Sequence, residues 1–122
     1  MFKGGVVTIY VSDMDRAVRF YAETVGFRLT ERYGNHWATL DGGPGLTIGL
    51  HPATAKVPAG RQGSIALGLY LDRPIEDAMR ELSARGARFT GPVVDDTQVL
   101  LAFFNDPDGN SLYLSEMKAV PR

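Results

Sequence analysis

The chain has no cysteine, which excludes disulfides, thiolate metal sites and cysteine nucleophiles. It also has almost no excess charge. Thirteen basic residues against fourteen acidic ones leave a net charge of −1, and Lys and Arg gather into no stripe. Nucleic acid demands a basic face that can release counterions, so that partner is set aside. No apolar run approaches the length needed to span a bilayer, and Met1-Phe2-Lys3-Gly4-Gly5 does not open as a signal peptide. The expectation is a cytoplasmic protein without a membrane partner. Familiar catalytic patterns are missing too. Gly42-Gly43-Pro44-Gly45 sits in a hairpin rather than between a strand and a helix, so it is not a phosphate loop, and no nucleophile elbow occurs. The adjacent carboxylates Asp95-Asp96 fall in a turn where neighbours point apart, and they read as a solvated turn.

What the chain does have is a repeat. With 122 residues, 44% of them hydrophobic, it is long enough for one real core and not for two independent ones. A single domain over 1–122 is expected, made of module one (5–52), a linker (53–62) and module two (63–116). Val6-Val7-Thr8-Ile9-Tyr10-Val11 is β-branched and aromatic, hence a strand. Ser12-Asp13 offers a helix cap. Met14, Ala17, Val18, Tyr21 and Val25 then recur at helical spacing, and Gly26 supplies the left-handed stop. Strands follow over Phe27 to Tyr33, His36 to Asp41 and Leu46 to Pro52. Residues 53–62 carry prolines, a glycine and little periodicity.

The pattern then restarts with a strand over Ser64 to Leu71. Asp72 and Pro74 open a helix that places Ile75, Ala78, Met79 and Leu82 on one face, with Glu76–Arg80 and Glu81–Arg85 spaced as i,i+4 pairs. Gly86 ends it. Strands over Ala87 to Val94, Gln98 to Phe104 and Ser111 to Glu116 complete the copy, with Asp106-Pro107-Asp108-Gly109 as the last turn. Each half is a βαβββ unit whose helix covers one sheet face. The predicted fold class is α+β: two tandem βαβββ modules, with curved mixed sheets enclosing a cleft and helices on the outer faces.

That double unit resembles the vicinal oxygen chelate superfamily of glyoxalase I, bleomycin-resistance proteins and extradiol dioxygenases. The likeness is carried by Val11-Ser12-Asp13-Met14-Asp15-Arg16-Ala17-Val18-Arg19-Phe20-Tyr21, by Val25-Gly26-Phe27 and by Phe103-Phe104-Asn105-Asp106-Pro107-Asp108-Gly109-Asn110. It covers nearly the whole chain and is specific for the fold rather than for one chemistry. The resemblance implies four strand positions at which many members hold a divalent metal with His and Glu. Here those positions carry Val6, Gly49, Ser64 and Tyr113. Divalent cations of this kind want imidazole or carboxylate, so no metal and no other cofactor is expected. The resemblance also implies a homodimer, because two-module members usually build each cleft from both subunits.

Alternation assigns the residues of the open face. Thr8 and Tyr10 share a side with Val6, and Thr47 and His51 share one with Gly49. Tyr113 shares one with Ser111 and Ser115, while Trp37 alternates with Thr39 and Phe103 with Leu101. The candidate ligand-binding set is Thr8, Tyr10, Trp37, Thr47, Gly49, His51, Ser64, Phe103 and Tyr113. His51 is the one candidate general base; a metal ligand, a ligand-anchoring donor and a strand-end side chain packed on Pro52 are its other readings. His36 alternates away and reads as structural. Such a face suits a flat organic compound better than a small diacid or phosphate. The leading expectation is a metal-free small-molecule-binding protein that sequesters an aromatic or drug-like compound. The alternatives are a lyase, isomerase or dioxygenase with a degenerate metal site, and a metal-independent enzyme using His51 as base.

Overall fold

A computed structural model describes residues 1, 4–60 and 66–118. In chain order the elements are β1 (Val7–Val11), α1 (Met14–Arg19), β2 (Arg28–Tyr33), β3 (Trp37–Asp41), β4 (Thr47–Pro52), β5 (Ala66–Tyr70), α2 (Ile75–Ala84), β6 (Val94–Asp95), β7 (Val99–Asn105) and β8 (Ser111–Met117). They form two four-stranded mixed sheets, ordered β1-β4-β3-β2 and β5-β8-β7-β6. In each, the first strand of the module lies parallel to the last, and the remaining pairs are antiparallel. The repeat read from the sequence is a repeat of topology. The chain divides into two compact units, one comprising Met1–Arg61 with Asp106–Asn110 and the other Gln62–Asn105 with Ser111–Arg122.

In the first unit Asp13 caps α1, its carboxylate accepting from the Arg16 amide at 3.0 Å. The helix then widens into a π-helical stretch over Phe20–Val25 and stops at Gly26, which takes the left-handed conformation (φ 95°). Met14, Ala17, Val18 and Tyr21 are buried on its inner side, and Ala38, Leu40, Ile48, Leu50 and Val11 are buried on the sheet. Alternation leaves the odd positions of β3 and β4 on the other face. Each fully buried Leu or Ile contributes about 1.5–3 kcal/mol, so this layer holds the unit together.

The turn at Asp106–Asn110 closes the same unit. The buried Asp106 carboxylate accepts from the Tyr21 hydroxyl at 2.8 Å, from the amides of Asp108 and Asn110, and from the Asn110 side chain. Asp108 in turn accepts from the Ser12 amide at 3.1 Å and pairs with the Ser12 hydroxyl. Burial, and then the neighbouring carboxylates of Asp106 and Asp108, push the Tyr21 hydroxyl far above the ordinary tyrosine range. Two of the three motifs that carry the family resemblance are thus one hydrogen-bonded assembly.

In the second unit α2 packs on β7 and β8, burying Ile75, Ala78 and Leu82 against a layer that includes Leu112, Leu114, Ala102 and Phe104. The strand expected over Ala87 to Val94 does not form as one piece. A single bridge joins Phe89 to Phe104, and only Val94–Asp95 pairs with β7. Gly91-Pro92 interrupts the run, since proline has no amide to give a ladder. The helix start also differs from expectation. Pro74 is the cap residue, and the Ile75 amide donates instead to the Glu116 carboxylate on β8 at 3.2 Å. Of the two expected i,i+4 pairs, Glu81–Arg85 forms at 2.7 Å, whereas Arg80 bonds Asp77 at 3.1 Å. His36 lies exposed in the turn before β3 rather than in the strand.

Candidate functional site

Register places the candidate residues of the first sheet in two rows on the face away from α1. Thr8 and Thr39 both lie opposite Gly49, and Tyr10 lies opposite His51. The central strand β4 therefore presents a glycine between two threonines and, one step along, an imidazole between two aromatic rings. The Tyr10 and His51 ring centroids are 5.2 Å apart, and the Trp37 and His51 centroids 6.3 Å, nearly edge to face. Thr47 lies on the same face, opposite Asp41.

Gly49 is buried because Trp37 covers it. A Cβ built at Gly49 would stand 2.3 Å from Trp37 Cη2, 2.6 Å from Cζ2 and 3.1 Å from Val6 Cγ2. No side chain fits there while the indole holds this position. The indole is fixed at its other end, where Nε1–H donates to Thr39 Oγ1 at 3.0 Å. The second sheet repeats the device with a different pair. A Cβ on Gly68 would stand 2.4 Å from Tyr113 Cζ and 2.5 Å from its hydroxyl oxygen. Tyr113 lies opposite Phe103, with ring centroids 5.5 Å apart.

His51 is oriented by its own strand end. Its Nδ1 lies 2.7 Å from the Pro52 carbonyl oxygen. A carbonyl can only accept, so in the neutral ring Nδ1 carries the proton and Nε2 keeps its lone pair. Among the described residues no buried side-chain nitrogen or oxygen lacks a partner. Nε2 has no partner among them, so it is not fully buried.

Six of the predicted residues thus share one face of the first sheet: Thr8, Tyr10, Trp37, Thr47, Gly49 and His51. Phe103 and Tyr113 share one face of the second. Ser64 lies outside the described residues. Two contributors escaped the candidate set, Thr39 as the anchor of Trp37 and the Pro52 carbonyl as the partner of His51. Thr39 was within reach, since it sits two residues beyond Trp37 and must share its face. The Pro52 carbonyl was not, because backbone orientation at a strand end leaves no side-chain signal.

Among the described residues, the positions at which the family resemblance implies a metal do not fit one. Val6 has no donor atom, Gly49 is covered by Trp37, and Tyr113 offers a phenol that lies over Gly68. Among the described residues no three of His, Asp and Glu come together as a cation-holding group. No helix among them is long and apolar enough to cross a membrane.

Comparison with known proteins agrees with this architecture. TnmS3, an antibiotic binding protein from Streptomyces sp. CB03234, superposes with a TM-score of 0.80 at 29% identity, over 97% of this chain and 98% of that one. A glyoxalase/bleomycin resistance protein from the same strain gives a TM-score of 0.73 at 31% identity, over 92% and 98%. An uncharacterised protein of Mycolicibacterium smegmatis is 32% identical over 108 residues, 88% of this chain and 87% of its own. Residues 5–114 match one family description as a single stretch, and the chain belongs to the Glyoxalase/Bleomycin resistance protein/Dioxygenase superfamily.

Proposed function

We propose that the protein is a metal-free small-molecule-binding protein that holds an aromatic or drug-like compound against the open face of its first sheet. The row Tyr10–His51–Trp37 carries this reading. Three rings from adjacent strands give a planar ligand surfaces to stack on, and centroid spacings of 5.2 and 6.3 Å are those of favourable ring contacts. The antibiotic-binding neighbour at 29% identity supports the ligand class. Phe103 and Tyr113 offer a second, smaller aromatic surface, and the working form is a homodimer. Tyr70, Met117 and Phe103 on the second sheet are 88%, 65% and 37% exposed, apolar area that pairing of two chains would cover. Sedimentation giving a stable monomer at micromolar concentration would end the dimer reading.

The test is a thermal-shift screen of aromatic metabolites and antibiotics, followed by quenching of Trp37, the single tryptophan. A compound at a hundred times its dissociation constant adds about 2.7 kcal/mol, which for this size of domain raises the melting temperature by on the order of 10 °C. A screen that yields neither shift nor quenching overturns the proposal.

A second reading is favoured by the tautomer of His51. An unpartnered Nε2 on a ring held by an Nδ1–H···O=C bond is also how a general base is presented. Turnover of any screened compound, lost on His51→Ala, would replace binding by catalysis.

A further inference from the structure

The polar atoms around Trp37 are not equivalent, and the difference bears on which aromatic compounds the site accepts. The indole N–H is already spent on Thr39 Oγ1. Asp41, on the same face of β3, is spent as well, accepting from the Gly43 amide at 2.9 Å and then from Arg28 at 3.1 Å. Both bonds hold its carboxyl below the usual carboxylate range. The hydroxyls of Thr8, Tyr10 and Thr47 can donate or accept, so they adapt to either kind of ligand atom. His51 cannot. With Nδ1–H committed to the Pro52 carbonyl at 2.7 Å, the neutral ring keeps Nε2 as an acceptor-only nitrogen, unpartnered and not fully buried, in the middle of the aromatic row.

We infer that the site selects, among planar aromatic compounds, those that carry a neutral hydrogen-bond donor at the ring edge, a phenolic hydroxyl or an aromatic N–H, and that His51 Nε2 accepts that hydrogen. The inference rests on the proposed binding of an aromatic compound and specifies its chemistry. A ligand lying between Tyr10 and Trp37 strips water from Nε2. One that carries a donor replaces the lost hydrogen bond. One whose hydroxyl is methylated leaves a buried acceptor unpaired, and that penalty exceeds the gain from an ordinary hydrogen bond. Discrimination of this kind is built by leaving the wrong ligand unsatisfied rather than by adding contacts to the right one. The sequence reading allowed His51 to anchor a ligand as a donor. The Pro52 bond reverses that role.

The experiment uses 2-naphthol and 2-methoxynaphthalene, which differ in the donor and in one methyl group. Titration calorimetry on the full chain should find 2-naphthol bound about tenfold more tightly. His51→Phe, which keeps a ring between Tyr10 and Trp37, should bind both compounds with affinities within about twofold of each other. Nitrogen-15 NMR of the two histidines gives an independent readout on the wild-type protein. His51 should show a protonated Nδ1 and a pyridine-like Nε2, and 2-naphthol alone should move the Nε2 resonance to lower frequency. Equal affinities for the two compounds, a preference that survives in His51→Phe, or a protonated Nε2 in the free protein would each overturn the inference while aromatic binding stands. If neither naphthalene binds, the inference falls, while the aromatic-binding proposal stands or falls on the wider screen.

Discussion

The hydroxyl of Tyr21 donates to the buried carboxylate of Asp106 at 2.8 Å, joining the first helix to a turn 85 residues away in sequence. Three further donors, from Asp108 and from the amide and side chain of Asn110, converge on the same carboxylate. Tyr21, in the π-helical stretch that follows α1, and the Asp-Pro-Asp-Gly turn thus complete each other. Their role is to hold the first unit together.

Removing that hydroxyl has a definite cost. Tyr21→Phe keeps the ring but leaves Asp106 one donor short, so stability at pH 7 should fall by about 1–3 kcal/mol. The pH dependence gives a second readout. The folded protein holds the Tyr21 proton above the ordinary value of 10.0, because of burial first and then Asp106 and Asp108. In the unfolded chain Tyr21 loses its proton near that ordinary value. Above it the unfolded state binds fewer protons, so stability is complete below about pH 10 and declines as pH rises, by about 1.4 kcal/mol per unit. Tyr21→Phe lacks that decline. Urea unfolding of both proteins at pH 7 and pH 11 should show the gap between them narrowing at the higher pH, and a constant gap would contradict the assignment.

The second helix begins on a borrowed carboxylate. Pro74 offers no side chain to cap it, and the Ile75 amide donates to Glu116 on β8. Glu116→Ala should therefore destabilise the protein by about 1 kcal/mol, as loss of an N-cap does. Glu116→Gln keeps an acceptor oxygen and should lose less. Thermal unfolding of the two variants checks the order, and equal losses would show that the contact does not act as a cap.

Much of this was legible from residues 5–116, and the reasons for the exceptions are physical. Gly26, the Ser12-Asp13 cap and the alternation of β1, β3 and β4 are local signals, and local signals set the two βαβββ units and the shared face of Thr8, Tyr10, Trp37, Thr47, Gly49 and His51. The strand over Ala87 to Val94 failed at Gly91-Pro92, where β-branched residues on either side outweighed the break in a reading by composition. The Glu116 cap and the Asp106 cluster could not be read at all, since both depend on residues brought together by tertiary packing. His51 falls on the expected face, but which of its ring nitrogens is committed could not be read, because a side-chain reading does not include the Pro52 carbonyl.

The glycine under Trp37 offers the sharpest test of the proposed site. Gly49 has an ordinary strand conformation, so alanine strains no backbone there, but its Cβ would fall 2.3 Å from Trp37 Cη2. The indole must swing off the sheet, and its hydrogen bond to Thr39 must stretch or break. Gly49→Ala should therefore shift the emission of Trp37 to longer wavelength as the ring enters water. Overpacking of this kind costs about 1–3 kcal/mol, and an aromatic ligand that stacks on Trp37 should lose most of its affinity. Gly68→Ala is the matched control. Its Cβ would strike Tyr113 at 2.4 Å, with a comparable cost in stability but no change in tryptophan emission. If Gly49→Ala leaves both the emission and the ligand affinity untouched, the indole does not rest on Gly49 in solution. The aromatic row would then not be the surface that binds.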